Sequence, residues 1–256
     1  YALSGGSATI TLSGDWVQSG SFSAGTSTVV HEGQTKLISG SPTYCNLTVN
    51  ISMGYHLTTD DITVTGTLSL QEGYFDSGTV HVQGNLVQAT TADGGTATLV
   101  FDGTGDQTLT GSGSETAGLL PDVEINKASG TLTLAGTVIR TNGDWSETAG
   151  SVSAGTTKLV FAGVNHSSLT ASTAFADVKL AKSGGYSLTV SGEVTVNGEL
   201  DLADGKLDGG TVHAKANVIE SDTSDGGSAT VSIDGTADQT LTGSGSETAG
   251  TLPDIE

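Results

Sequence analysis

The chain contains a long segment that occurs twice, almost unchanged. Residues 103–118 read GTGDQTLTGSGSETAG, and residues 235–250, which lie 132 positions later, differ from them only at the third letter. The segment that follows is also shared, because LLPDVE at 119–124 reappears as TLPDIE at 251–256. A tandem repeat of this kind restricts the fold to architectures in which one structural unit stacks on the next.

The repeat length is about 130 residues, so the chain divides into a first repeat at 1–124 and a second repeat at 125–256. The sequence also approaches a circular permutation of this repeat. TLPDIE followed by residues 1–16, YALSGGSATITLSGDW, parallels LLPDVE followed by residues 125–145, INKASGTLTLAGTVIRTNGDW. We expect either a part of a longer tandem array or a subunit whose tail meets the head of its neighbour. Both alternatives predict a polymer.

Short stretches with an apolar residue at every second position recur along the whole chain and end at Gly, Asn or Asp. Examples are SATITLSG at 7–14, DITVTG at 61–66 and EVTVNG at 193–198. Period-2 alternation gives a strand one buried face and one solvent face, and Gly and Asn supply turns with positive φ. The 38 Gly residues disfavour helix, as does the lack of a long apolar stripe with a period of 3.6. The sequence predicts an all-β protein.

Near-verbatim copying favours stacked coils over a closed β-sandwich. A sandwich needs different strands at its edges and centre, whereas a stack places the same side chain above itself in every coil. We therefore predict one continuous parallel β-solenoid (β-helix) over residues 1–256, right-handed, with coils of roughly 20–25 residues and about five to seven coils in each repeat.

Several strings resemble the repeats of large bacterial or archaeal cell-surface β-solenoid proteins of the filamentous adhesin type. They are AGTSTVVHEGQTKLISG at 24–40, TYCNLTVN at 43–50 and GTLSLQEGYFDSGTVHVQGN at 66–85. The resemblance covers essentially the whole chain, and its motifs specify the architecture better than the function. It implies an extracellular or cell-surface structural fibre, built by self-association. The alternative that it implies is an adhesin stalk presenting a binding tip, with surface glycans as possible ligands.

The charge excludes some partners. The net charge is −20 and only eight residues are Lys or Arg, so the clustered cations that neutralise nucleic-acid phosphates are lacking. No run of 18 or more apolar residues occurs, which predicts no insertion into a membrane. The single cysteine, Cys45, allows no disulfide within the chain and leaves a lone side chain or a link between subunits as alternatives.

Two equivalent turns carry paired carboxylates and are candidate calcium sites. Asp102 and Asp106 flank one Gly-containing turn, and Asp234 and Asp238 flank its copy. Calcium binds six to eight oxygen ligands, which carboxylates and carbonyl groups of such turns supply. Neither turn has an EF-hand pattern, so the alternative is a plain turn in which Asp satisfies the backbone. We expect no other cofactor.

A carbohydrate-active enzyme on a β-helix is the third function considered. A lyase would need a basic residue, for which Arg140, Lys179 and Lys182 are candidates, with Asp177 as a nearby acid. A unique active site should interrupt the repeat, and no insertion does so. We therefore predict that the chain is not an enzyme.

The remaining conspicuous residues occur in pairs. Trp16 and Trp145 each follow Gly-Asp, which predicts that they cap an apolar stack, with a carbohydrate platform as the alternative. His81 and His213 are equivalent and have the parity opposite to their apolar neighbours, so both should point outward. Glycosylation sequons occur at three positions, Asn46, Asn50 and Asn165.

Overall fold

The protein is an all-β rod of stacked coils. A computed structural model describes residues 2–246 and 249–256, and within that part of the chain it contains strands and no helix. The strands pair in parallel with those of the next coil and form a β-solenoid of about 13 turns, as the sequence predicts. With a spacing of about 4.8 Å between paired strands, the rod is on the order of 60 Å long. No helix in the described part of the chain is long and apolar enough to span a membrane.

Most of the strands are short, because each is one side of a coil and ends at a corner. Their bounds are β1 Ala2–Ser4, β2 Thr9–Leu12, β3 Trp16–Val17, β4 Ser21–Ser23, β5 Thr28–Gly33, β6 Lys36–Ser39, β7 Thr43–Tyr44, β8 Asn46–Ile51, β9 His56–Thr59, β10 Ile62–Val64, β11 Thr67–Asp76, β12 Thr79–Val82, β13 Asn85–Ala92, β14 Thr98–Phe101, β15 Gln107–Thr110, β16 Asp122–Ala135, β17 Val138–Thr141, β18 Trp145–Ser153, β19 Lys158–Gly163, β20 Ser167–Thr170, β21 Ala174–Phe175, β22 Asp177–Lys182, β23 Ser187–Val196, β24 Leu200–Ala214, β25 Val218–Ser224, β26 Thr230–Ile233, β27 Leu241–Thr242 and β28 Asp254–Ile255.

Ladders of apolar side chains form the core along the rod axis. One ladder in the first repeat has buried members in five successive coils, Val29, Leu47, Leu68, Leu86 and Leu109, each in register with the next. A sixth member, Leu134 of β16, pairs with Leu109 and belongs to the second repeat. Stacking like on like removes apolar surface from water at each step, which stabilises neighbouring coils rather than one central core.

The second repeat builds the same ladder from equivalent residues. Its members are Leu159, Val178, Leu200, Val218 and Leu241, again in register from coil to coil. Leu109 is fully buried, whereas the equivalent Leu241 is 42% exposed, because the described structure has no coil above it. The tandem repeat of the sequence is therefore also a repeat of the structure.

The strand pairing shows which residues of the second repeat correspond to the N-terminal residues of the chain. Ala2–Ser4 pairs with Ser21–Ser23 as Thr131–Thr133 pairs with Ser151–Ser153. Residues 2–16 thus match residues 131–145 without a gap, 129 positions apart. The segment 125–130, which links the two repeats inside the chain, has no counterpart among residues 2–16. The circular permutation inferred from the sequence is therefore close but lacks this segment.

Both tryptophans lie in the core, as predicted. Trp145 is fully buried, Trp16 is 8% exposed, and each follows a Gly-Asp corner. Trp145 meets Phe175 edge to face with ring centroids 6.2 Å apart, and Trp16 meets Tyr44 in the same way at 5.5 Å. Phe175 and Tyr44 occupy equivalent short strands in the two repeats, β21 and β7. The indoles cap apolar stacks in the interior.

Candidate functional site

The first acidic turn encloses a buried lysine. The ammonium group of Lys127, one coil later, donates hydrogen bonds to the carbonyl oxygens of Gly103 at 2.6 Å and Gly105 at 3.0 Å, and to Oε1 of Gln107 at 2.5 Å. Lys127 is only 2% exposed. Three donors therefore meet three acceptors, which is the full capacity of an ammonium group. We call these three acceptor atoms the lysine cage.

The two carboxylates of this turn lie outside the lysine cage. Burial lowers the pKa of Lys127, and the charges of Asp106 and Asp102 oppose that shift. Asp106 accepts the backbone N–H of Thr131, and Asp102 accepts from Nδ1 of His81 at 2.7 Å. The carboxylates are thus already hydrogen-bonded, one to a backbone donor and the other to an imidazole.

In the second repeat, Asp234 is bound by Lys215 at 2.8 Å and by His213 at 3.0 Å, while Asp238 is exposed. The part of the chain that the structure describes contains no group of three or more His, Cys, Asp or Glu residues that could hold a metal ion. Calcium binding at the two turns, through Asp102 with Asp106 and Asp234 with Asp238, stays a prediction from the sequence.

A second lysine is buried in the interior of the second repeat. Lys182 is fully buried, and its ammonium group donates to the carbonyl oxygen of Asn142 at 2.9 Å, to Oδ1 of Asn165 at 3.4 Å and to Oγ of Ser167. Burial lowers its pKa to about 8. The carbonyl oxygen of Asn142 also accepts from Asn165 and Ser167, so Lys182 completes a hydrogen-bond network that ties three coils together.

Histidine and aspartate side chains pair between neighbouring coils on the outer face. Besides His81 with Asp102 and His213 with Asp234, Nδ1 of His56 contacts a carboxylate oxygen of Asp76. The side chain of His81 is 39% exposed and that of His213 is 26% exposed, and the flanking Val80, Val82, Val212 and Ala214 are buried. The predicted outward orientation of both histidines is confirmed.

An ion-pair network crosses the boundary between the repeats. Glu115 accepts hydrogen bonds from Lys158 at 2.9 Å and from Lys179 at 3.1 Å, and Lys179 also contacts Asp201 at 2.9 Å. The hydrogen bond from Lys158 is the main reason that the pKa of Glu115 lies below its ordinary value. The loop that carries Glu115 thereby clamps coils of the second repeat.

The residues considered for lyase chemistry do not converge. Lys179 and Lys182 lie on opposite faces of β22, the first in the ion-pair network and the second in the interior. Arg140 donates to the carbonyl oxygen of Gly118, and Asp177 accepts the backbone N–H of Glu199. Each of these four side chains has hydrogen-bond partners of its own.

Two of the three sequon asparagines make hydrogen bonds through their side chains, and the cysteine is a free thiol. The Asn46 side-chain amide bridges Ser27 and Thr67 of the adjacent coils, and Asn165 belongs to the Lys182 network. Asn50 and Cys45 are half-buried, and Cys45 is a free thiol. Glycosylation and a link between subunits through Cys45 stay predictions.

Apolar surface is exposed at both ends of the described rod. At the first coil, Leu3 is 53% exposed and Val17 is 70% exposed, and together with Trp16 and Phe22 they line a cavity of about 280 Å³. At the last coil, Leu241 and Ile255 are exposed by 42% and 37%. Each end therefore offers unpaired strand edges beside apolar side chains.

Sequence reasoning missed the burial of three charged or titratable residues, Lys127, Lys182 and His31, although Lys182 was named as a basic candidate. Their parity would have found them, because each continues an inward series, as in Val123, Ile125 and Lys127 or in Val178, Leu180 and Lys182. His31, which follows Val29 in the same series, is fully buried.

The fold defines the chain as a parallel β-solenoid protein. Comparisons with protein-family models, with curated proteins and with solved structures found no match to the chain.

Proposed function

We propose that the chain is a structural building block of an extracellular or cell-surface filament, in which the solenoid axis is continued by further coils of the same kind. The continuation is either covalent, in a longer array, or a head-to-tail contact between subunits. The observation that carries this proposal is the in-register recurrence of the core ladder, in which Leu241 of the second repeat holds the position of Leu109 in the first. Leu109 is buried beneath a coil of the following repeat, so the coil of Leu241 has the register that axial continuation uses.

The chemistry of the rod supports a mechanical role. Lys127 and Lys182 are buried, and their ammonium groups bind carbonyl and hydroxyl groups of neighbouring coils. These hydrogen bonds hold the coils together. The net charge of −20 adds lateral repulsion between rods, which favours growth along the axis over side-by-side aggregation. The resemblance to cell-surface β-solenoid repeats supports the extracellular location.

The test is electron microscopy and sedimentation of the native protein over a wide range of concentrations. We expect thin fibres, or oligomers that lengthen along the axis, with increasing concentration. Val17→Lys places a charge at the exposed apolar head and should abolish this association. Val164→Lys is the matched control, because Val164 is 67% exposed on a lateral turn and should tolerate the charge.

Two outcomes would contradict the proposal. Rods that stay separate at every concentration would favour the adhesin stalk, in which the axial ends carry no contact. If Val164→Lys weakened the association as much as Val17→Lys, the contacts between rods would be lateral rather than axial.

A further inference from the structure

The last coil contains a second copy of the turn that binds Lys127. Residues 234–239 read DGTADQ, where residues 102–107 read DGTGDQ, and we call 234–239 the end turn. The side-chain amide nitrogen of Gln239 donates to the carbonyl oxygens of Ala214 at 2.9 Å and Ala216 at 2.6 Å. Gln107 donates to the two equivalent carbonyl groups in the first repeat. The glutamine that completes the cage is therefore fixed in the same way in both turns.

The two turns differ in what lies above them. Oε1 of Gln107 accepts from the ammonium group of Lys127, whereas Oε1 of Gln239 accepts from the backbone N–H of Gly235, within its own turn, at 2.7 Å. Gln107 is 2% exposed, while Gln239 is half-buried. The end turn thus keeps the acceptors of the lysine cage, with its glutamine oxygen bonded locally.

We infer that the end turn is a binding site for a lysine side chain, delivered by a β-segment of the Ile-Asn-Lys type that continues the solenoid. This inference rests on the proposed axial continuation and specifies its contact. The acceptors are the carbonyl oxygens of Gly235 and Ala237 and Oε1 of Gln239, which are equivalent to the three atoms that bind Lys127. The carboxylates of Asp234 and Asp238 add an attractive field for a cation.

The register of the last strand would place such a segment next to the end turn. Ile255 pairs with Val231 as Val123 pairs with Leu99, so the tail of the second repeat lies as the tail of the first does. Lys127 is the third residue after Glu124. A segment that continues from Asp254–Ile255 with this spacing therefore brings its third residue after Glu256 to the end turn.

The experiment extends the full chain beyond Glu256 with a copy of residues 125–136, INKASGTLTLAG, and compares it with the same extension carrying Lys127→Met in the copied segment. Hydrogen exchange of residues 234–246 is followed by mass spectrometry. We expect the lysine extension to slow exchange in this region by a factor on the order of ten relative to the unextended chain. We expect the methionine extension to lose most of that protection, because the cage acceptors stay unfilled.

Three results would overturn the inference, and they separate it from the proposed function. Equal protection by both extensions would support axial continuation and refute the lysine site. Lack of protection by either extension refutes the lysine site, while axial association is judged independently by microscopy and the Val17→Lys variant. Protection of the unextended chain by CaCl₂ or KCl, to the level of the lysine extension, would make the end turn a metal site instead.

Discussion

Nζ of Lys127 lies 2.5 Å from Oε1 of Gln107, a residue of the preceding coil and one of the three acceptors of the lysine cage. The end turn of the second repeat copies these acceptor residues, without a lysine above them among the described residues. The contact joins residues 20 positions apart on neighbouring coils. Its strength comes from a charge-assisted hydrogen bond in surroundings with little water, where an ammonium group without acceptors would be costly.

Replacing Lys127 with Met should destabilise the rod. The substitution keeps the length of the side chain but leaves the carbonyl oxygens of Gly103 and Gly105 and Oε1 of Gln107 without their donor. Each such loss costs about 1–3 kcal/mol, so we expect a decrease of roughly 2–4 kcal/mol in the free energy of unfolding after relaxation. The measurement is urea unfolding followed by circular dichroism.

Lys206→Met is the matched control for this prediction. Lys206 is exposed, so its replacement should change the free energy of unfolding by no more than about 0.5 kcal/mol. Equal urea midpoints for Lys127→Met and the wild-type protein would contradict the assigned role of the cage.

The architecture could be predicted from the sequence, because it depends on patterns that extend over the chain. The period-2 alternation and the near-identity of 103–118 and 235–250 fix parallel stacking and the repeat length. The lysine cage could not be derived in the same way. It depends on which carbonyl oxygens of one coil lie beneath Lys127 of the next, and this register changes with the coil length, from Gln107 paired with Leu132 to Val123 paired with Trp145.

His31 should make the stability of the first repeat depend on pH. Its side chain is fully buried, neither ring nitrogen has a hydrogen-bond partner among the described residues, and burial lowers its pKa from 6.5 to about 4, against the opposing charge of Asp15. Between pH 6.5 and pH 4, the side chain of His31 binds a proton more tightly in the unfolded chain than in the folded protein. Stability should therefore decrease as pH falls from 6.5 to 4, by up to about 3 kcal/mol from this residue.

The variant His31→Phe tests this assignment. Phe161 holds the equivalent position in the second repeat and is fully buried, so the core of a coil accommodates the ring. We expect the free energy of unfolding of His31→Phe to decrease less than that of the wild-type protein between pH 6.5 and pH 4, as measured by urea unfolding at each pH. Parallel pH curves for the two proteins would refute the role of His31.

Glu115→Gln should weaken the clamp between the repeats to a small extent. The carboxylate is about one-third exposed, so solvent screens its bonds to Lys158 and Lys179, and we expect a loss of no more than about 1 kcal/mol. Because the pKa of Glu115 is lowered in the folded state, its contribution is present above the ordinary glutamate pKa and is lost as pH falls through the folded value.

The readout for Glu115 is the difference in free energy of unfolding between variant and wild type at low and high NaCl. This difference should shrink in 1 M salt, where exposed ion pairs are screened. Glu32→Gln is the control, since Glu32 has no ion pair within the described part of the chain. A Glu115→Gln effect that is independent of both salt and pH would indicate lost packing rather than a lost charge.

Gly95 and Gly227 occupy the same corner in the two repeats, and both require the absence of a side chain. Their φ angles are +132° and +130°, and an added Cβ would lie 2.0 Å from the carbonyl oxygen of Phe75 or Leu207, the residue beneath. Backbone atoms cannot yield as a flexible side chain can. Replacing either Gly by Ala should therefore force the coils apart, at a cost of roughly 2–4 kcal/mol in the free energy of unfolding.

Gly14→Ala separates this effect from the general cost of changing a glycine. A Cβ at Gly14 meets no atom within 4 Å, and its φ lies outside the left-handed region, so the variant should differ from wild type by no more than about 1 kcal/mol. Gly95→Ala and Gly227→Ala should lower stability by similar amounts, because the two corners have the same geometry. If the urea midpoint of either variant matched that of Gly14→Ala, the corner could open without loss of stacking, which would contradict the prediction. If only one of the two variants did so, the two repeats would be equivalent in structure but not in energetics.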